Sequence, residues 1–236
     1  MPMKNRRIFD REPKDWQDLE LLVDQAFLEM GYESERGAEL DTVRGKVSVD
    51  VYAVKKSTPI PTVIICECKH WAKPVEQSVV YAFRSVCADA GAHFGIVISK
   101  VGFQSGAAET RASTNIHLLN FPEFQETFFD EWRSGIFMSF SRMCDDVMPL
   151  AYDRYTDKTH DLQKKLEGIN PFDKYDIFFG DNSFRRFFIE GGEFPVSIID
   201  PRGNPRDSHR ITISSHREFY DISVQGWKDA KQWFGI

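Results

Sequence analysis

Asp50, Glu67 and Lys69 are the residues of this chain whose types and spacing best suit chemistry. Sixteen residues separate Asp50 from Glu67, and one residue separates Glu67 from Lys69. Two carboxylates offer hard oxygen ligands, which suit Mg2+, with Mn2+ as a substitute. Such an ion polarises a phosphate and lowers the pKa of water. An ammonium beside it can orient or help deprotonate that water and offset the negative charge of the transition state. The trio therefore predicts phosphodiester hydrolysis, with Asp50, Glu67 and Lys69 catalytic and the two carboxylates holding the metal. The carbonyl of Cys68 is a further oxygen ligand in this scheme. Glu20 is a fourth candidate, acting directly or through water.

The flanking pattern must bring these groups together. Residues 46–54 (KVSVDVYAV) alternate as a strand, with Val47, Val49 and Val51 on one face and Ser48, Asp50 and Tyr52 on the other. Residues 62–69 (TVIICECK) form a second, more apolar strand that reads as central. Period-2 geometry puts Glu67 and Lys69 on one face, opposite Cys66 and Cys68. If the two strands pair as a hairpin, Asp50 shares that face. Glu20 lies on a predicted helix over 13–31, at the edge of an apolar stripe formed by Trp16, Leu19, Leu22, Val23, Ala26, Phe27 and Met30. A helix over 76–91, a strand over 94–99, a helix over 103–113 and a strand over 116–120 complete a mixed α/β layer.

After Pro122 the character changes. Residues 123–150 read as an aromatic-rich helix and 154–167 as a more polar one. Five strands are expected in YDIFFG, RFFIEGG, FPVSIID, RITISS and EFYDIS, followed by a short final helix carrying Trp227, Ala230, Trp233 and Phe234. The domains expected are thus 1–122 and 123–236, the second helical and β-rich, with a role in recognition, sensing or dimerisation.

Each reading has a plainer rival. Glu67 and Lys69 can be an ordinary ion pair, although the otherwise apolar strand argues for buried charges that need a partner or a metal. Glu20 reads equally well as a solvated helix glutamate. Cys66, Cys68, His70 and His93 contain no second C-x2-C pair to support zinc. His70 and Trp71 follow the charged strand and are candidates to touch substrate, as is Gln104 at a helix start. The run Phe184-Arg185-Arg186-Phe187-Phe188, with Arg202, Arg206, Arg210 and Arg217, is either a nucleic-acid surface or an ordinary strand and its solvated charges.

Composition sets the outer limits. The 236 residues are 42% hydrophobic and 28% charged, as in globular proteins generally. No run of about 18 apolar residues suggests a membrane span, and the polar N-terminus does not read as a secretory signal. Four cysteines without a framework point to reduced thiols and a cytoplasmic location. The net charge of −6 argues against a protein that coats nucleic acid, but not against a local groove.

Taken together, VSVDVYA, VIICECKHW and the run DAGAHFGIVISKVGFQSGA resemble the Mrr-type restriction endonuclease domain of the PD-(D/E)xK nuclease superfamily over about residues 16–120. The resemblance implies a restriction-endonuclease-like αβββαβ core in the α/β (α+β mixed sheet) class. Asp50, Glu67 and Lys69 match its motif, and Glu20 matches the glutamate of its first helix. It departs before the aspartate, where Val47-Ser48-Val49 replaces the glycines that members often carry. It implies a Mg2+-dependent endodeoxyribonuclease in restriction or antiphage defence, with DNA, a second copy of the chain and a defence partner as partners. The alternatives are a non-catalytic module on the same fold, or a nuclease for RNA or branched DNA.

Overall fold

A computed structural model describes residues 6–56, 59–108, 114–152, 164, 171–179 and 191–236. It divides into two compact units, Met1–Trp132 and Arg133–Ile236.

In the first unit the elements are α1 (Trp16–Glu29), β1 (Glu33–Thr42), β2 (Gly45–Lys55), β3 (Thr62–Lys69), α2 (Gln77–Asp89), β4 (Phe94–Ser99), α3 (Ser105–Ala108), β5 (Ile116–Asn120) and the start of α4 (Phe121–Tyr152). The five strands lie in the order β1-β2-β3-β4-β5. The first three run antiparallel, and β3, β4 and β5 run parallel. This is a mixed α+β unit, a five-stranded mixed sheet flanked by helices.

Local chemistry accounts for the helix limits. Asp15 caps α1 by accepting the Asp18 N–H at 2.8 Å, so the helix begins at Trp16, three residues beyond Pro13. Gly31, at φ +84, ends it in the left-handed conformation. Leu19, Leu22, Val23, Ala26, Phe27 and Met30 are buried as the periodicity predicts, whereas Trp16 is 56% exposed.

β1 is the element that hydrophobic alternation does not reveal. Its sequence, ESERGAELDT, is charged because it forms an edge of the sheet and is exposed along most of its length. β3 is buried from Ile64 to Cys66, as expected of a central strand. The helix expected over 103–113 is described only at Ser105–Ala108.

Gly95 lets α2 settle on β4. A Cβ there would lie 2.6 Å from Cys87 Sγ and from Ile116 Cδ1, and 2.9 Å from Phe83 Cε1. Gly95→Ala is therefore expected to cost about 1–3 kcal/mol by overpacking. Denaturant unfolding measures it, and unchanged stability would show that this layer is loosely packed.

The unit extends past Pro122 because the start of α4 packs on α1. Phe27 meets Phe124 and Phe128 edge-on, at 6.0 and 5.6 Å. Trp132 Nε1 donates to Glu29 Oε2 at 2.7 Å, and Gln125 Oε1 accepts the Phe9 N–H at 2.8 Å. Lys55 and Tyr32 both reach Glu131 Oε1, at 2.5 and 3.0 Å.

The second unit holds the rest of α4, then α5 (Pro171–Lys174), α6 (Asp176–Phe179), the hairpin β6 (Val196–Ile199) and β7 (Arg210–Ile213), and α7 (His216–Phe234). Two expected strands are corrected. Within YDIFFG, Asp176–Phe179 form the helix α6. EFYDIS opens α7, whose N-cap Ser215 accepts the Glu218 N–H at 3.0 Å. Aromatic and aliphatic residues give this stretch the composition of a strand, but Phe219, Ile222, Ser223, Gly226 and Ala230 are buried at helical spacing. The final helix is thus nineteen residues long, and the described part of this unit is mainly helical. FPVSIID and RITISS do contain β6 and β7. RFFIEGG up to Glu190, the Phe184–Phe188 run and, apart from Lys164, the 154–167 helix lie outside the described residues, and Gly191 and Gly192 are not in a strand. Among the described residues no helix is long and apolar enough to cross a membrane.

Candidate active site

Asp50, Glu67 and Lys69 meet where β2 and β3 part. The β2–β3 ladder is registered from Lys55↔Thr62 to Val51↔Cys66, so Asp50 is the next residue beyond the pairing. Its Oδ2 turns to the β3 backbone and accepts the Cys68 N–H at 2.7 Å. Lys69 Nζ lies 3.7 Å from the same Oδ2 and forms a short ion pair with Glu67 Oε1. One ammonium therefore bridges two carboxylates. All three side chains are mostly buried, with 16–26% of their area exposed.

Burial raises the pKa of Glu67, the charge of Asp50 adds to this, and Lys69 opposes it; the net effect is upward. For Lys69, burial pulls downward, but the hydrogen bond and charge of Glu67 and the charge of Asp50 prevail, so its pKa stands above the ordinary value. Lys69 is consequently a cation at neutral pH and a donor in this arrangement. The indole of Trp71 adds to its surroundings, with Nζ 5.5 Å from the ring centroid.

Glu20 faces the same field from α1. Burial and the charge of Asp50 raise its pKa, Arg36 and Lys69 oppose them, and Glu67 adds a smaller upward push. Cys68 contributes its N–H to Asp50, while its thiol is buried and its pKa is driven upward by burial. His70 is half-buried immediately after β3. Gln104 is exposed, and its N–H donates to Val75 O at 3.0 Å. It stands immediately before α3, which is described over Ser105–Ala108.

The zinc alternative finds its residues engaged elsewhere. The Cys66 thiol is held neutral by burial, and His93 Nδ1 accepts the Val63 N–H at 3.0 Å. Among the described residues no three His, Cys, Asp or Glu side chains gather into a metal-binding group. A metal at Asp50 and Glu67 would thus have two side-chain ligands, with main-chain oxygen or water completing its shell. The donors present, two partly exposed carboxylates that share the Lys69 ammonium, fit a hard divalent cation.

In the second unit, Arg202 holds Asp200 through Nε and Nη2, both at 2.8 Å, Arg210 Nη2 donates to Ser197 O at 2.6 Å, and Arg217 pairs with Asp221. These arginines serve internal contacts.

A mixed sheet with the β1–β2–β3 meander feeding parallel β3, β4 and β5, and acidic and basic groups at the β2–β3 fork, defines a nuclease domain of the restriction-endonuclease-like class. Residues 12–128 match the family model described as "Restriction endonuclease", of Mrr catalytic type. The chain carries an Mrr-type restriction endonuclease domain over that segment. Among solved structures it is similar to "Protein of Unknown Function AF1548", at 14% identity and a TM-score of 0.39, covering 92% of this chain and 96% of that one. It is also similar to MspJI restriction endonuclease in complex with a 27-mer oligonucleotide, at 18% identity and a TM-score of 0.32, covering 47% of this chain and 27% of that one. The chain thus spans about a quarter of the MspJI chain's length. No curated protein matches this chain.

Sequence reasoning missed Arg36, whose charge acts on Glu20. The charged edge strand that carries it has no apolar alternation to draw attention to it.

Proposed function

We propose that this chain is a metal-dependent endonuclease that hydrolyses DNA phosphodiester bonds. The observation that supports this most strongly is Lys69 Nζ held between Asp50 and Glu67 in a domain of the restriction endonuclease family. A divalent cation such as Mg2+, held by Asp50 and Glu67 with the Cys68 carbonyl, would activate water and polarise the scissile phosphate. The protein's own contribution is positional. Asp50 is anchored by the Cys68 N–H, and Lys69 is anchored by both carboxylates. The Lys69 ammonium orients the attacking water and offsets charge that develops on the phosphate oxygens. Paired with both carboxylates, it is placed to donate hydrogen bonds to the water and the phosphate. Glu20 supplements the acidic field from α1, and His70 and Gln104 are assigned to the substrate side.

Cutting both strands of a duplex in one encounter normally uses two active sites, which a homodimer or higher oligomer would supply. The family likeness supports a place in restriction or antiphage defence, with a cytoplasmic setting, and residues 133–236 would then recognise, sense or dimerise.

The test is plasmid cleavage with Mg2+ or Mn2+, and with EDTA as control. Lys69→Ala is expected to lower the rate about 10²–10³-fold, the loss typical of one preorganised transition-state donor. Full activity in this variant, or cleavage that survives EDTA, contradicts the proposal.

A further inference from the structure

The β1–β2 ladder changes face beside the site. Arg36 pairs with Val51 and Ala38 with Val49, so Gly37 stands opposite Asp50. In a regular strand residues 36 and 38 point the same way. Here Ala38 and Val49 belong to the core cluster of Val80, Phe83 and Cys87 on α2, which contains no residue of α1. Arg36 instead reaches α1, its Nε 3.9 Å from Asp24 Oδ2. The change occurs at Gly37, whose φ of +62 lies in the left-handed region that glycine enters without steric penalty.

The side chain so aimed has capacity to spare. Arg36 is 44% exposed, and its approach to Asp24 is too long for a hydrogen bond. Its charge acts on Glu20, one helical turn before Asp24, and Glu20 in turn feels Asp50, Glu67 and Lys69. A polyanion approaching three carboxylates meets repulsion, and a guanidinium at their rim relieves it with a fork that matches phosphate oxygens.

We propose that Arg36 is a substrate-contact residue that binds a phosphate of the DNA strand at the rim of the Asp50–Glu67–Lys69 site, aimed there by the turn at Gly37. The assignment deepens the nuclease reading above and rests on it. A residue that merely balanced Asp24 and Glu20 would act on folding and not on DNA.

The experiment uses the full chain as wild type, Arg36→Ala and Arg36→Lys. Binding to a DNA duplex is followed by anisotropy with Ca2+ in place of Mg2+, from about 50 to about 200 mM KCl. Cleavage kinetics with Mg2+ and thermal melting are measured alongside. Arg36→Ala is expected to flatten the slope of log affinity against log salt by about 0.9, the loss of one phosphate contact. It should lower kcat/KM about 10–100-fold, the range of a lost charged hydrogen bond. Arg36→Lys should recover the slope and only part of kcat/KM, because the charge returns without the fork. A wild-type slope in Arg36→Ala, whether cleavage is unchanged or falls together with the melting temperature, overturns the assignment while leaving the nuclease reading intact. A wild-type chain that neither binds nor cuts DNA overturns both.

Discussion

Asp50→Asn is expected to lower plasmid cleavage about 10³-fold and to abolish measurable Mg2+ uptake, with little loss of folding stability. The carboxylate has two tasks that can be separated. As an anion it supplies one of the two charged ligands at the β2–β3 fork. Losing it removes several kcal/mol of transition-state stabilisation, and about 4 kcal/mol corresponds to that thousandfold. As an acceptor it satisfies the Cys68 N–H at 2.7 Å. An asparagine retains a side-chain oxygen for that bond, whereas Asp50→Ala leaves the N–H without it, at about 1–3 kcal/mol. Lys69 keeps its pairing with Glu67 in either variant. The expected pattern is therefore equal loss of cutting in both variants, but a lower unfolding midpoint only in Asp50→Ala. Calorimetric Mg2+ titration, a cleavage assay and thermal melting give the three readouts. Undiminished cutting by Asp50→Asn would sink the metal-ligand role.

The second large effect concerns the extent of the nuclease domain. A chain ending after Trp132 should unfold cooperatively, and one ending after Pro122 should not fold. The difference is ten residues, among which Phe124, Phe129 and Trp132 are at most 1% exposed. Removing a buried aromatic side chain typically costs about 3–5 kcal/mol, and a whole domain is stable by only about 5–15 kcal/mol. The shorter chain also loses Gln125 from Phe9, Glu131 from Lys55 and Tyr32, and Trp132 from Glu29. Circular dichroism and urea unfolding of the two chains decide the matter; equal cooperativity would show that the start of α4 is dispensable.

Pro122 was the natural place for a sequence reading to put the boundary, because composition changes there. The helix that follows is amphipathic, and periodicity does not say which partner covers each part of it. Its first aromatics pack on Phe27, whereas Phe140 packs with Phe178 and Phe219. A similar limit explains the helices mistaken for strands. A short aromatic run satisfies both periods, and only the longer pattern, with the Ser215 cap, selects the helix.

By itself the sequence determined that Glu67 and Lys69 share a strand face, that β3 is central and that α1 presents Glu20 near its buried stripe. These are local consequences of period and polarity, and the chain cannot escape them. The sequence also carried the family resemblance, because the strand motif and its flanking residues are contiguous. Only the tertiary structure decided that Asp50 lies just past the last registered pair and turns to the Cys68 N–H, or that Lys69 bridges both carboxylates. It alone revealed β1, whose charges suit an edge and hide it from any hydrophobic pattern. The turn at Gly37 that sends Arg36 toward α1 belongs with these. The physical reason is the same throughout: register, edge and strand-face reversal depend on what lies across the sheet, and a neighbour's position is not written in local spacing.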